Sequence, residues 1–222
     1  MNNIVRTTQI PLELEHTPSF DLSDFIISSA NEKAAALLNS WQSWPSHTVA
    51  LIGPKASGKS HLAAGWAKEN DAFIFTKNSK VSDLKPDCFI VCEDADSGVI
   101  EEQTMFHLYN WVKEIKGKLL LTARSHPTKW QVDLPDLRSR LATITVGEIK
   151  EPDDNLLIAL LIKLFSDRQL QVNINVIHYI IPRIERSFLA VRLLVEELDE
   201  LSLRNKRKIT KALARDCLEV KK

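Results

Sequence analysis

The chain has 222 residues, and Lys plus Arg equals Asp plus Glu at 29 each, so its formal net charge is zero. That length suits one ordinary domain plus a small accessory one. The balanced charge argues against a broad face that grips nucleic-acid phosphates. No apolar run is long enough to span a bilayer, and the opening MNNIVRTTQIPLELEH carries no signal-peptide core. With three cysteines, Cys88, Cys92 and Cys217, the expected location is the reducing cytoplasm, with no membrane partner. Cys88 and Cys92 share one apolar run and are expected to be buried thiols rather than metal ligands.

Residues 1–20 form a polar, proline-punctuated stretch that reads as a tail. Asn31 to Trp41 reads as a helix, capped by Asn31, with Ala34, Leu37, Leu38 and Trp41 on one face. Apolar runs then alternate with helical ones. Strands are predicted at Thr48–Ile52, Ala72–Thr76, Cys88–Cys92, Lys118–Thr122 and Thr143–Val146. Helices are predicted at Ser60–Lys68, Glu101–Ile115 and Asp136–Leu141. The strands are continuously apolar rather than alternating, which means burial on both faces: a parallel sheet covered by helices. From Asp153 onward only helices are expected, at Asp153–Leu170, Val176–Ile184, Phe188–Leu203 and Thr210–Val220, with Pro182 ending or kinking the second. The predicted organisation is a tail at 1–20, an α/β domain at 21–150 and a helical lid at 151–222.

Gly53-Pro54-Lys55-Ala56-Ser57-Gly58-Lys59-Ser60 fits the pattern G-x-x-x-x-G-K-[ST] between a predicted buried strand and a predicted helix. In such a loop, glycines let the backbone wrap phosphates, and successive N–H groups and the helix N-terminus bind the anion. The lysine reaches the β- and γ-phosphates, and the hydroxyl of Ser60 holds Mg2+. The chain is therefore expected to bind ADP or ATP with Mg2+. A glycine turn with a surface lysine is the bland alternative, and the strand–loop–helix context disfavours it. Phe89-Ile90-Val91-Cys92 ends in Glu93 and Asp94, the place for carboxylates that hold the metal through water and orient the attacking water. Which of the two takes which role stays open.

At this point the residues resemble a family. From Asp24 to Leu213 the chain is similar to the DnaA-type AAA+ module, and most of all to the Hda family of DnaA-related regulators in its alphaproteobacterial form. Asp24-Phe25-Ile26, with Ser29 and Asn31, resembles the segment that helps hold adenine. Lys59-Ser60-His61-Leu62 continues the P-loop as that family does. Leu119–Thr122 with Pro127 resembles the sensor 1 strand and loop, although Arg124 stands where Asp or Asn is common. Leu134-Pro135-Asp136-Leu137-Arg138-Ser139-Arg140-Leu141 resembles the box carrying an arginine finger, which would be Arg140 acting in trans. Ser187–Leu201 resembles the sensor 2 helix; Leu189 occupies the arginine's place, with Arg192 one turn on and Arg186 one turn back. These departures imply weak or no ATPase activity of the chain's own.

The resemblance implies a AAA+ fold with a lid, and DnaA as partner. It implies a negative regulator of replication initiation that stimulates hydrolysis of DnaA-bound ATP. Gln9-Ile10-Pro11-Leu12-Glu13-Leu14 resembles the peptide by which such regulators dock on the DNA polymerase III sliding clamp, so DNA would be met indirectly through the clamp. Pro11 lowers the entropy lost on docking. A homodimer is compatible with the resemblance. Since the chain stops about one helix beyond the sensor 2 region, a DnaA-type DNA-reading domain is not expected. The main rival is a free-standing ATPase such as a helicase loader, which needs its own ATP cycle and no clamp peptide. The basic run Arg204–Lys208 reads as a solvated helix connection in preference to a DNA contact.

Overall fold

The computed structural model describes residues 25–219, so the tail, its Gln9–Leu14 peptide and Asp24 lie outside the described residues. Five parallel strands form one sheet in the order β2-β3-β4-β1-β5. They are β1 (Thr48–Ile52), β2 (Phe73–Ile74), β3 (Phe89–Cys92), β4 (Lys118–Ala123) and β5 (Thr145–Glu148). The sheet is sandwiched, and this is why its inner strands are apolar throughout. Ala50, Ile52, Ile90, Cys92, Leu119 and Leu121 face α3 (Glu102–Glu114) and α4 (Pro135–Leu141). Their neighbours Val49, Leu51, Val91 and Leu120 face α1 (Glu32–Asn39) and α2 (Lys59–Glu69). Successive residues on a strand point to opposite faces, so both sets are buried.

The remaining helices, α5 (Asp154–Asp167), α6 (Ile174–Ile180), α7 (Phe188–Asn205) and α8 (Lys211–Glu219), enclose a separate core around Leu157, Phe165, Ile177, Val191 and Leu198. Asp153 caps α5 by accepting from Leu156 N at 2.8 Å, which marks the start of the lid. Leu156 and Phe188 belong instead to the sheet-side cluster with Trp66 and Ile149, and they seat the lid on the α/β layer. No helix among the described residues is long and apolar enough to cross a membrane.

Four local expectations change. Asn31 does not cap α1: its Oδ1 accepts from Ser28 N at 2.8 Å and its Nδ2 donates to Ile26 O at 2.8 Å. It is a buried brace for the segment entering the helix, 2% exposed. The Ala72–Thr76 strand shrinks to β2, which has a single neighbour and leaves Phe73 and Ile74 exposed at the sheet edge. The last strand starts at Thr145, because Thr143 N and Ile144 N close turns onto Arg140 O and Leu141 O. Helix α6 starts at Ile174, because Asn173 caps it through Asn175 N at 2.9 Å; Pro182 lies in the 3-10 turn Ile181–Arg183 that follows.

Candidate functional site

Strand β1 delivers Gly53 to the carboxyl edge of the sheet, where Gly53 N donates to Ala123 O. Gly53 has no room for a side chain: a Cβ there would lie 2.8 Å from Ile149 O and 2.9 Å from Ile149 Cβ. Gly58 has φ +93°, and a Cβ on it would meet the Phe25 ring at 2.8 Å. Glycine alone meets both demands. We expect Gly53→Ala to cost about 1–3 kcal/mol through forced backbone shifts. Thermal unfolding would show this as a lower Tm; an unchanged Tm would mean that the Ile149 linker yields freely.

Pro54, Lys55 and Ala56 form the tip of the loop, with Lys55 exposed and Ala56 at φ 63°. Gly58 is the N-cap of α2 and supplies no side-chain cap. The first-turn N–H groups are thereby left for an anion. Lys59 is 8% exposed and its Nζ donates to Gly53 O and Pro54 O, both at 2.9 Å. Burial pushes its ammonium below the usual lysine value, the charge of Arg124 adds to this, and Asp94, Asp96 and Glu93 pull the other way. Ser57 Oγ is buried in the same loop with no hydrogen-bond partner among the described residues. Buried polar atoms are ordinarily satisfied, so a desolvated cation, an orphan hydroxyl and an uncapped helix end together fit a phosphate group.

Ser60 Oγ donates to Glu93 Oε2 at 2.5 Å, uniting the P-loop with the acidic end of β3. A hydroxyl and a carboxylate so placed, completed by phosphate oxygens and water, suit the hard, octahedral Mg2+ ion. Asp94, one residue on, takes a left-handed φ of 48° and its N–H donates to Thr122 Oγ1 at 3.0 Å. The turn thereby directs Glu93 and Asp94 differently. Burial beside these carboxylates pushes the Cys92 thiol up to about 12, so it packs as an inert apolar group.

Phe25 lies against Gly58 and, at 5.7 Å between centroids, against the His61 ring. Ile26 packs in the sheet-side cluster with Ala56. The structure therefore brings Phe25, Ile26, His61, the P-loop, Glu93 and Asp94 to one edge of the sheet. Arg192 is not drawn in: its Nε pairs with Glu196 at 3.0 Å and its side chain is 60% exposed. Arg186 pairs with Asp154 at 3.1 Å.

Arg140 lies at the opposite edge. Its guanidinium carbon sits 5.1 Å from the centre of the Phe106 ring and 5.6 Å from that of Tyr109. Tyr109 in turn contacts His47, which precedes β1, whereas the P-loop follows it. The length of a five-residue strand, about 16 Å at ~3.3 Å per residue, separates the two.

Two side chains of this region escaped sequence reasoning. Asp96 Oδ2 accepts from Arg124 N at 2.9 Å, Ser125 N at 3.1 Å and Ser125 Oγ at 3.2 Å. Glu102 accepts from Asp133 N at 2.9 and 3.0 Å and from Leu134 N at 2.9 Å. No pattern in a single chain flags such long-range contacts to backbone.

Comparison with known proteins accords with this geometry. Residues 154–218 match the family model described as Hda, lid domain. An uncharacterized protein of Haemophilus influenzae is 26% identical over 176 residues, covering 72% of this chain and 76% of that one. Domain III of the Thermotoga maritima replication initiation protein DnaA superposes with a TM-score of 0.75 at 14% identity, covering 91% of this chain and 97% of that one. AMPPCP-bound DnaA from Aquifex aeolicus gives a TM-score of 0.66 at 15% identity, covering 83% and 66%. Residues 154–218 thus form a lid of the Hda type, set on a parallel-sheet fold like that of DnaA domain III.

Proposed function

We propose that this protein is a nucleotide-binding negative regulator of replication initiation: it docks on the DNA-loaded sliding clamp and stimulates hydrolysis of the ATP held by DnaA. One observation carries this reading most. Arg140 sits about a strand's length from the chain's own P-loop, so its guanidinium is of use to another molecule's nucleotide rather than to its own. A fixed cation entering a partner's site stabilises the charge that builds on the γ-phosphate. The Hda-type lid supports DnaA as that partner.

The chain's own site would hold ADP or ATP. Lys59, the α2 amides and Ser57 would take the phosphates, and Phe25, Ile26 and His61 would flank the base side. Ser60 with Glu93 would hold Mg2+, leaving Asp94 for water. When bound, the metal supplies charge neutralisation between phosphates. The pairing of Arg192 with Glu196 speaks against its reaching these phosphates without first leaving that partner.

The test is to incubate the protein with ATP-loaded DnaA, clamp and DNA, and to measure the ATP-to-ADP ratio on DnaA. A shift to ADP that needs all components supports the proposal. If the chain alone instead turns over ATP at ~1–100 s⁻¹, as dedicated phosphoryl-transfer enzymes do, a self-contained ATPase such as a helicase loader is the better description. Replacing Gln9, Leu12 and Leu14 by alanine is expected to remove co-elution with the clamp while leaving the Tm unchanged. Continued co-elution would exclude that peptide as the dock.

A further inference from the structure

The loop between β4 and α4 is held at both ends by carboxylates from one short segment. Asp96, on the turn after β3, takes the N–H groups of Arg124 and Ser125. Glu102, in the first turn of α3, takes those of Asp133 and Leu134, immediately before α4. Helix α4 carries Arg140 near its other end. Glu102, Phe106 and Tyr109 are spaced i, i+4, i+7 and so share one stripe of α3. That stripe grips α4 twice: at its start through the carboxylate, and at its end through the two rings under the Arg140 guanidinium. Arg138 ties the same stretch inward by donating from Nε to Val132 O at 3.0 Å. The Asp133 and Leu134 N–H groups hold the Glu102 carboxyl below the usual carboxylate range, so the grip is ionised at neutral pH.

We propose that Glu102 is the positioning residue for Arg140: the Glu102–Phe106–Tyr109 stripe of α3 fixes the register of α4 and so the place at which the guanidinium is presented to a partner's nucleotide. This rests on the trans-acting role of Arg140 proposed above. Glu102 itself touches no reacting atom. Its removal leaves two backbone N–H groups without their acceptor and frees the start of α4, and displacement of about 1 Å at a catalytic group is enough to cost ~10²-fold in rate.

The experiment compares Glu102 and Arg140 variants of the full chain in stimulating hydrolysis of DnaA-bound ATP, with clamp and DNA present. Glu102→Ala is expected to lower the maximal stimulation at saturating DnaA at least tenfold. ADP affinity of the chain and the DnaA concentration giving half-maximal stimulation should stay within about twofold. Glu102→Gln, which keeps one acceptor oxygen, should recover part of the loss; it stands in for Glu102→Ala should the alanine variant melt early. Wild-type stimulation by both Glu102 variants, or a raised DnaA concentration for half-maximal stimulation with an unchanged maximum, would overturn the proposal. Wild-type stimulation by Arg140→Ala itself would overturn the trans-acting role instead, so the two failures are distinguishable.

Discussion

Arg140→Ala is expected to abolish stimulation of DnaA-bound ATP hydrolysis while leaving ADP binding and clamp binding intact. An arginine supplied in trans to a phosphoryl-transfer site is worth ~10³–10⁵ in rate, so the residual activity should be close to that of DnaA alone. The separation of effects follows from geometry. The guanidinium rests on Phe106 and Tyr109, on the far side of the sheet from Lys59 and Ser60. Truncating it removes a cation–π contact, worth ~0.5–1 kcal/mol at a partly exposed site, and does not disturb the P-loop. Arg140→Lys should fail as well, since an ammonium lacks the planar fork that a phosphoryl group engages with two bonds. The ATP-to-ADP ratio on DnaA decides the matter. Stimulation equal to wild type would leave Arg140 as a packing residue of the α3–α4 seam.

The second large effect is expected at Lys59. Its Nζ is buried and bonded to two loop carbonyls, so a bound phosphate competes with those bonds for a cation already stripped of water. Two charge-assisted bonds at ~1.5–3 kcal/mol each put the loss of ADP affinity in Lys59→Ala at roughly 10²–10⁴-fold. Equilibrium dialysis with labelled ADP measures it, and an unchanged Kd would remove the phosphate-site assignment. A pH dependence accompanies this. Burial lowers the Lys59 value, and only the charged form favours phosphate. Affinity is therefore full below the lowered value and falls as pH rises through it, at less alkaline pH than an ordinary lysine would require. In Lys59→Ala this alkaline loss should vanish.

The parts of the fold legible in the sequence are those governed by local pattern. The P-loop, its strand and its helix were readable because glycine spacing, a buried run and a helix start all fall within one short stretch. The parallel sheet was readable because both faces of β1, β3 and β4 are covered, which leaves no polar alternation. Asn31 was misread as a cap: its type suits a helix start, but its amide is satisfied by Ser28 and Ile26 before the helix begins. Asp96 and Glu102 were invisible for a related reason. Each accepts from backbone N–H groups about thirty residues away, and donation by the backbone leaves no mark on the identity of the partner residue. Arg140 stood out through the run Leu-Arg-Ser-Arg-Leu, yet nothing in that run announces the aromatic shelf on which it rests.

The strand order has a consequence for how the chain acquires its nucleotide site. Strand β1 pairs with β4 and β5 and with neither β2 nor β3, so its hydrogen-bonding partners begin at Leu119 and Thr145. During synthesis from the N-terminus, Gly53–Ser60 emerges long before the strands that will hold it. Until then the segment carries a naked apolar strand, Thr48–Ile52, with both edges unpaired. Closing such distant pairs is entropically slow and exposes the chain to misassociation meanwhile. The lid core, built from contacts within the C-terminal part of the chain, does not wait on the sheet in this way. In refolding, protection of lid amides should therefore precede protection of β1, and affinity for nucleotide should appear only with the late, long-range step that inserts β1 between β4 and β5.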